Sequence, residues 1–241
     1  MKKGHQQYIL EKESVKHRVQ KLLSNHGYCS RRKAEDLIKD GRVTVNGKKI
    51  TIGDQATEKD TIAVDGKVVG RERKVYLIFN KPVGCVTALR DPQYKTVMSY
   101  ISVKERVFPV GRLDYNTSGL LLLTNDGDFA NKIMHPSHEI KKKYLVTLDG
   151  PIDKKAIDNL QHGVQLDDGK TRPVKTHVVE PHVIEISIHE GKNRIVRRMF
   201  TALGYRVKAL SRVAVGKLSL GDLKVGTYRN LTKKDIDRIF I

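Results

Sequence analysis

Four consecutive leucines, Leu120 to Leu123, constrain this chain more than any other feature. A run that is uniformly apolar, far shorter than the ~18 residues needed to span a bilayer and closed on both sides by polar, glycine-containing segments is a buried strand. Before it stand Gly111-Arg112-Leu113-Asp114 and Thr117-Ser118-Gly119; after it come Asn125-Asp126-Gly127-Asp128. Asp114, with Arg112 two residues away, therefore sits on a loop at the mouth of a buried strand. Most lone aspartates are solvated turn residues. Loops held by a rigid scaffold are also where catalytic groups are found, and the pattern alone leaves both readings open.

Around this strand the chain divides in two. Residues 15–70 form a small unit. Val19, Leu22 and Leu23 share one helical face, with Gly27 suited to the C-terminal cap. Ser30 is an N-cap for a second helix with Ala34, Leu37 and Ile38 inside and Gly41 at its end. Arg42 to Val45 alternates as a strand, Asn46-Gly47 makes a type I′ turn, and a second short hairpin turns at Asp65-Gly66. The first 14 residues are polar and expected to fray. Gly70 to Lys74 is a linker. Residues 75–241 are expected to form one α+β domain with a mostly antiparallel sheet. Its strands are Val75 to Phe79, Leu120 to Leu123, Tyr144 to Leu148 and Val183 to Ile188, with a turn at Asn80 to Gly84. Its helices are Phe129 to Met134, Lys154 to Gln161 and Arg194 to Leu203, the last with Ile195, Met199, Ala202 and Leu203 inside.

The formal net charge is +19 over 241 residues, and 39% of them are hydrophobic. That is enough apolar content for a core in each part, and the excess of cations calls for a polyanionic partner, nucleic acid first. A membrane partner is not expected, since neither a spanning run nor a strongly basic amphipathic helix is present. The N-terminal segment has no apolar core of signal-peptide type, and the two cysteines, Cys29 and Cys85, are too few for a disulfide framework. A cytoplasmic protein with reduced thiols is expected. Both parts are basic: residues 1–74 carry 18 Lys/Arg against 10 Asp/Glu, and the remainder 28 against 17. Arg31, Arg32 and Lys33 fall in the first turn of the second helix, where cations oppose the helix dipole. A bound phosphate would offset that cost; a merely solvated basic turn is the plainer alternative.

Two further segments stand out. In Lys141-Lys142-Lys143-Tyr144-Leu145-Val146, Tyr144 begins a strand. Lys192, Asn193, Arg194, Arg197 and Arg198 belong to a stretch, 189–217, with eight Lys/Arg and one Asp/Glu, the kind of stripe that tracks a phosphate backbone. Taken singly, Tyr144 is a packing residue with a surface hydroxyl, and the arginines are an exposed helix face. His135 and His138 have no companion cysteines at metal spacing, so no metal site is expected.

Taken together, Gly-Arg-Leu-Asp with Thr-Ser-Gly-Leu-Leu-Leu-Leu-Thr-Asn-Asp-Gly, then Lys-x-Tyr, then Glu-Gly-Lys-Asn-Arg-x-Val-Arg-Arg-Met, resemble the ribosomal RNA pseudouridine synthases of the RsuA/RluB type. The segment CSRRKAEDLIKDGRVTVNG resembles the S4 RNA-binding domain that precedes the catalytic domain in that group. HPSHE at 135–139 and GVQLDDG at 163–169 are most similar to the large-subunit (RluB) branch. Ile195 departs from the polar residue common in related families.

The resemblance implies a cofactor-free, metal-free isomerisation. The bond from ribose C1′ to uracil N1 breaks, the base turns, and it rejoins through C5. Asp114 aligns with the nucleophile, which must be ionised. Arg197 aligns with the basic residue that pairs with it, and Tyr144 with the tyrosine that stacks on the target uracil. A phenol pKa near 10 makes tyrosine a poor base at neutral pH, so stacking is its stronger role. Arg112 aligns with the residue that fills the gap left by the flipped nucleotide. Large-subunit (23S) rRNA or its precursor is the expected partner of a monomeric enzyme. The rivals are an S4-type assembly factor without turnover, the same chemistry on 16S rRNA, and a glycosidase-like nuclease. The last would want a second carboxylate beside Asp114.

Overall fold

The computed structural model describes residues 15–241; the polar stretch 1–14, expected to fray, lies outside the described residues. Two compact units are present. Of the described residues, one contains 15–74 with 104–107 and 125–127, and the other 75–103, 108–124 and 128–241.

The first unit runs β1 (His17–Arg18), α1 (Val19–Asn25), α2 (Arg31–Lys39), β2 (Val43–Val45), β3 (Lys48–Lys49), β4 (Gln55–Ala56), β5 (Ile62–Val64) and β6 (Lys67–Val68). Val19, Leu22 and Leu23 of α1 and Ala34, Leu37 and Ile38 of α2 pack on Val43, Ile62 and Val64, the stripes that the 3.6-residue spacing requires. Ser30 Oγ accepts from the Lys33 amide at 3.2 Å, capping α2. Both hairpins turn through paired left-handed residues, Asn46 and Gly47 (φ 49° and 78°) and Asp65 and Gly66 (51° and 75°), the type I′ geometry. The antiparallel order is β3-β2-β5-β6, and β1 pairs separately with β4, a two-residue ladder with no pattern of its own in the sequence.

The second unit runs β7 (Tyr76–Lys81), β8 (Phe108–Val110), β9 (Ser118–Thr124), α3 (Gly127–Met134), β10 (Lys142–Leu148), α4 (Lys154–His162), β11 (Gln165–Leu166), β12 (Gly169–Lys170), β13 (Lys175–Glu180), β14 (Val183–Ile188), α5 (Ile195–Ala202), β15 (Val207–Val215), β16 (Leu218–Ser219), β17 (Tyr228–Asn230) and α6 (Lys233–Ile239). Its main sheet has the order β13-β14-β10-β15-β9-β7-β17. All pairs are antiparallel except β15 with β9, which meet in parallel at Ser211↔Ser118 and Arg212↔Gly119. The four leucines lie in β9, flanked by β7, β8 and β15, and none is more than 2% exposed. Fully burying each contributes about 1.5–3 kcal/mol. Leu120 and Leu122 join Ile78, Phe129, Ile133 and Ile239 in one core. A second core gathers Val146, Ile184, Ile186, Met199, Phe200 and Leu160 where α4 and α5 cover the other end of the sheet.

Three sequence expectations shift. The turn placed at Asn80 to Gly84 starts later, because β7 continues through Lys81, with Asn80 and Lys81 in register with Leu120 and Gly119. Both polar side chains are buried and bonded: Asn80 Nδ2 donates to Leu223 O at 2.7 Å, and the Lys81 ammonium donates to main-chain oxygens. In α5, Ala202 is exposed and Leu203 falls just beyond the helix, half-buried. Val196 and Phe200 are buried beside Ile195 and Met199; this second inner row rotates Ala202 outward. Tyr144 is the third residue of its strand rather than the first.

Candidate active site

The loop from β8 to β9 carries Asp114, and its backbone is held from several directions. Gly111 turns with φ 76°, which glycine accepts without strain. The Thr117 amide donates to Asp114 O at 3.0 Å. Thr87 Oγ1 donates to Leu113 O at 2.7 Å, and the Gly84 amide to Tyr115 O at 2.9 Å. From below, the Lys81 ammonium donates to Pro82 O at 2.9 Å, Asp114 O at 3.1 Å and Thr117 O at 2.9 Å. Burial pushes the Lys81 pKa down, while Cys85 and Asp114 pull the other way. Where the loop enters β9, Gly119 has φ 106°, and a Cβ there would overlap the main chain of Arg212. Only glycine lets β9 and β15 approach this closely.

The second wall is α5. Its N-cap, Arg194, is left-handed (φ 46°, ψ 30°) with no side-chain cap. Because Ile195, Val196, Met199 and Phe200 face the core, Arg194 and Arg197 are left for the side of the Asp114 loop. Arg194 Nη1 lies 3.9 Å from Asp114 Oδ2. Arg197 donates from Nη2 to Asn116 O at 2.7 Å and from Nη1 to Val207 O at 3.1 Å. Its guanidinium thus ties the loop to the start of β15, and the carboxylate's ion pair is with Arg194. Burial, then Arg194, lower the Arg197 pKa, and Asp114 opposes them.

Between these walls and the face of the sheet lies a cavity of 740 Å³, bordered by Asp114, Arg112, Tyr144, Arg194, Ile195 and Leu210 among others. Tyr144, on β10, is partly buried against the second core. Arg112 stands exposed at the rim and has no ion pair among the described residues. Lys192 and Asn193 border the same cavity, Lys192 being 3.9 Å from both Asp168 and Glu190. Arg198 points elsewhere, bonded to the Asp167 and Asp168 carboxylates; of the GVQLDDG segment, these two acids neutralise it. Arg31, Arg32 and Lys33 belong to the other unit, exposed in the first turn of α2.

Sequence reasoning missed three residues. The sequence pattern puts Lys81 in a turn, and its one signal is a lysine closing an apolar strand before proline. Lys142 and Arg212 also border the cavity. The sequence places Arg212 in a basic stripe of the kind that tracks a phosphate backbone, whereas it is buried at 6% exposure, because β15 sits inside the sheet between β10 and β9.

The family model described as RNA pseudouridylate synthase matches residues 75–202, and that of the S4 domain residues 17–62. The chain belongs to the RNA pseudouridylate synthase family. It is 44% identical over 231 residues to the ribosomal large subunit pseudouridine synthase B of Bacillus subtilis, covering 92% of this chain and 95% of that one. It is 38% identical over 226 residues to the dual-specificity RNA pseudouridine synthase RluF of Escherichia coli, covering 92% and 78%. A crystal structure of a pseudouridylate synthase superposes with a TM-score of 0.69 at 31% identity, covering 92% of this synthase and 99% of the other chain. The synthase therefore joins an S4 unit to a catalytic unit whose cavity gathers Asp114, Tyr144 and Arg194, with Arg197 holding the loop beside it.

Proposed function

We propose that this synthase converts one uridine of large-subunit ribosomal RNA to pseudouridine, with Asp114 as the nucleophile acting on a flipped nucleotide. One observation carries the reading: a carboxylate on a loop clamped by the buried Lys81 ammonium and by Arg197, opening into a cavity that also holds Tyr144. Clamping matters because holding reacting groups in place removes several kcal/mol from a barrier. The Arg194 guanidinium stands 3.9 Å from the carboxylate as its ion-pair partner. In the reaction the C1′–N1 bond breaks and a C1′–C5 bond forms, C5 loses its proton and N1 gains one, so no redox partner is needed.

The reacting atoms of a base-paired uridine lie inside a stack, and extrusion costs roughly a few kcal/mol. Tyr144 supplies a stacking face for the extruded base, and Arg112 at the rim fills the gap it leaves. Lys192, Asn193 and Arg194 meet the backbone at the cavity mouth. Residues 15–70, with Arg31, Arg32 and Lys33, hold the RNA through phosphates, and residues 75–241 carry out the isomerisation. The large-subunit assignment rests on the Bacillus relative's substrate.

The test is pseudouridine mapping, by carbodiimide treatment and primer extension, of ribosomal RNA incubated with the wild type and with Asp114→Asn. The wild type should add one stop in large-subunit RNA without changing RNA mass, and the variant should add none while binding RNA as tightly. Wild-type turnover by Asp114→Asn would remove the nucleophile assignment, and a stop in small-subunit RNA would move the substrate.

A further inference from the structure

Burying a cation without an anion is expensive, and two cations without one line the cavity, Arg212 buried and Lys142 half-buried. Arg212 is 6% exposed. Its Nε donates to Leu120 O at 2.7 Å; the remaining donors of the guanidinium make no hydrogen bond among the described residues, and the side chain borders the cavity. Lys142 borders it too, donating to Ile133 O at 3.2 Å. Among the described residues neither forms an ion pair with a carboxylate. Burial, then the nearby Arg212, bring the Lys142 pKa down to about 8. Nothing in the fold explains two clustered cations facing an open space, so the space itself has to hold the partner.

We propose that Arg212 and Lys142 recognise the carbonyl edge of the flipped uracil, and so make the cavity selective for uracil over cytosine. The proposal rests on the isomerase reading above and assigns the base-recognising groups within it. Tyr144 and Arg212 are directly opposed on neighbouring antiparallel strands, an arrangement that puts both side chains on one face of the sheet. A base stacked on the Tyr144 ring directs its edge toward Arg212. Lys142 lies two residues before Tyr144 on the same strand, past a register shift between Lys143 and Tyr144.

The chemistry of the two side chains fits one base. Lysine and arginine are donors only. The pyrimidine O4 of uracil is an acceptor, whereas cytosine carries an amino donor at that position. At position 4 a donor matches the uracil oxygen and meets the cytosine amino group donor to donor, the kind of mismatch that discriminates strongly in a buried site. A backbone phosphate is the other anionic group RNA could offer. Arg212 is too deep for it: its guanidinium rests on the β9 main chain at Leu120, and a phosphate would have to follow the base to the floor of the cavity.

The experiment is a single-turnover comparison of the full-length wild type, Lys142→Met and Arg212→Met on an rRNA fragment carrying uridine, 4-thiouridine or 2-thiouridine at the mapped position, since sulfur is the weaker acceptor. Each substitution should slow the uridine reaction by about 10- to 100-fold, the cost of losing a charged hydrogen bond, with RNA affinity unchanged. A thio-substitution should slow the wild type and add little further in the variant that has lost its partner. If protein and substrate changes multiply independently at both positions, or if both variants isomerise uridine at the wild-type rate, the proposal is overturned. Should Arg212→Met fail to fold, Lys142→Met decides alone by the same criterion. Failure of the isomerase reading itself shows separately, as a wild type that makes no pseudouridine from the unmodified fragment.

Discussion

The Lys81 ammonium donates to the main-chain oxygen of Asp114 at 3.1 Å from a position with no solvent exposure. It thereby couples the last residue of a central strand to the residue proposed as nucleophile. The contact is to the backbone, so it fixes where the carboxylate stands without consuming its charge.

Replacing Lys81 with methionine keeps the volume and strands three carbonyl oxygens. The expected loss is about 1–3 kcal/mol of stability, read as a lower melting temperature. The single-turnover rate should fall further than stability alone accounts for, by up to about 100-fold, because a loop shifted by an ångström loses its attack geometry. RNA affinity should hold. A variant that melts early yet turns over normally when folded would confine Lys81 to stability.

Arg197 makes a parallel case. Its two Nη groups bridge Asn116 O and Val207 O, a span that a single ammonium does not reproduce. Arg197→Lys should therefore retain charge and RNA affinity but lose about tenfold or more in kcat, at the scale of a bidentate hydrogen-bonded contact. Arg194→Gln removes an ion pair whose side chains are 49% and 36% exposed; such pairs contribute about 0–1 kcal/mol, so its effect should be smaller and should shrink in high salt. Equal losses in the two variants would contradict this division of labour.

The sequence made the local structure legible wherever a single helix or hairpin stated its own rule. Ser30, Asn46-Gly47 and Asp65-Gly66 each act through backbone geometry within a few residues, and each stands as the local pattern requires. The Asp114 loop was legible because its motif is contiguous. What escaped was set by tertiary neighbours. Lys81 looks like the start of a turn until β9 and β17 flank its strand, and Arg212 looks like part of a basic stripe until β10 and β9 enclose it. Arg198 could be placed on a helix face from spacing, but not against Asp167 and Asp168, thirty residues away in a hairpin whose position no local pattern dictates.

That placement pairs Arg198 within the protein, whereas Arg31, Arg32 and Lys33 are the cations proposed to meet phosphate. Each phosphate contact contributes about 0.7–0.9 to the slope of log affinity against log salt. Changing Arg31, Arg32 and Lys33 together to glutamine should lower the slope by about two, if all three meet phosphates. Arg198→Gln should leave the slope as it is, because its guanidinium is already paired with two acids. Filter binding over a range of salt concentrations reads both. A reduced slope for Arg198→Gln, or none for the triple variant, would reverse the assignment.

Acid should act on the catalytic unit through α6. Asp235 Oδ2 accepts from the Thr232 amide at 2.9 Å and from Arg229 Nη1 at 2.6 Å, while the Asp235 amide donates to Thr232 Oγ1 at 3.1 Å. Arg229 first, then Thr232, hold the Asp235 carboxyl well below the usual carboxylate range. With the folded pKa depressed, the unfolded chain takes up this proton first, so the stabilisation is complete above the unfolded value of about 3.9 and is lost as pH falls from there through the folded pKa. The cap anchors Ile239, which is 1% exposed and belongs to the core that includes Leu120 and Leu122. Asp235→Asn should therefore melt below the wild type at neutral pH, and the gap should narrow on acidification from about pH 4 downward. Paired melting curves across that range check it; a gap that stays constant would mean that the carboxylate's charge is not what secures the helix.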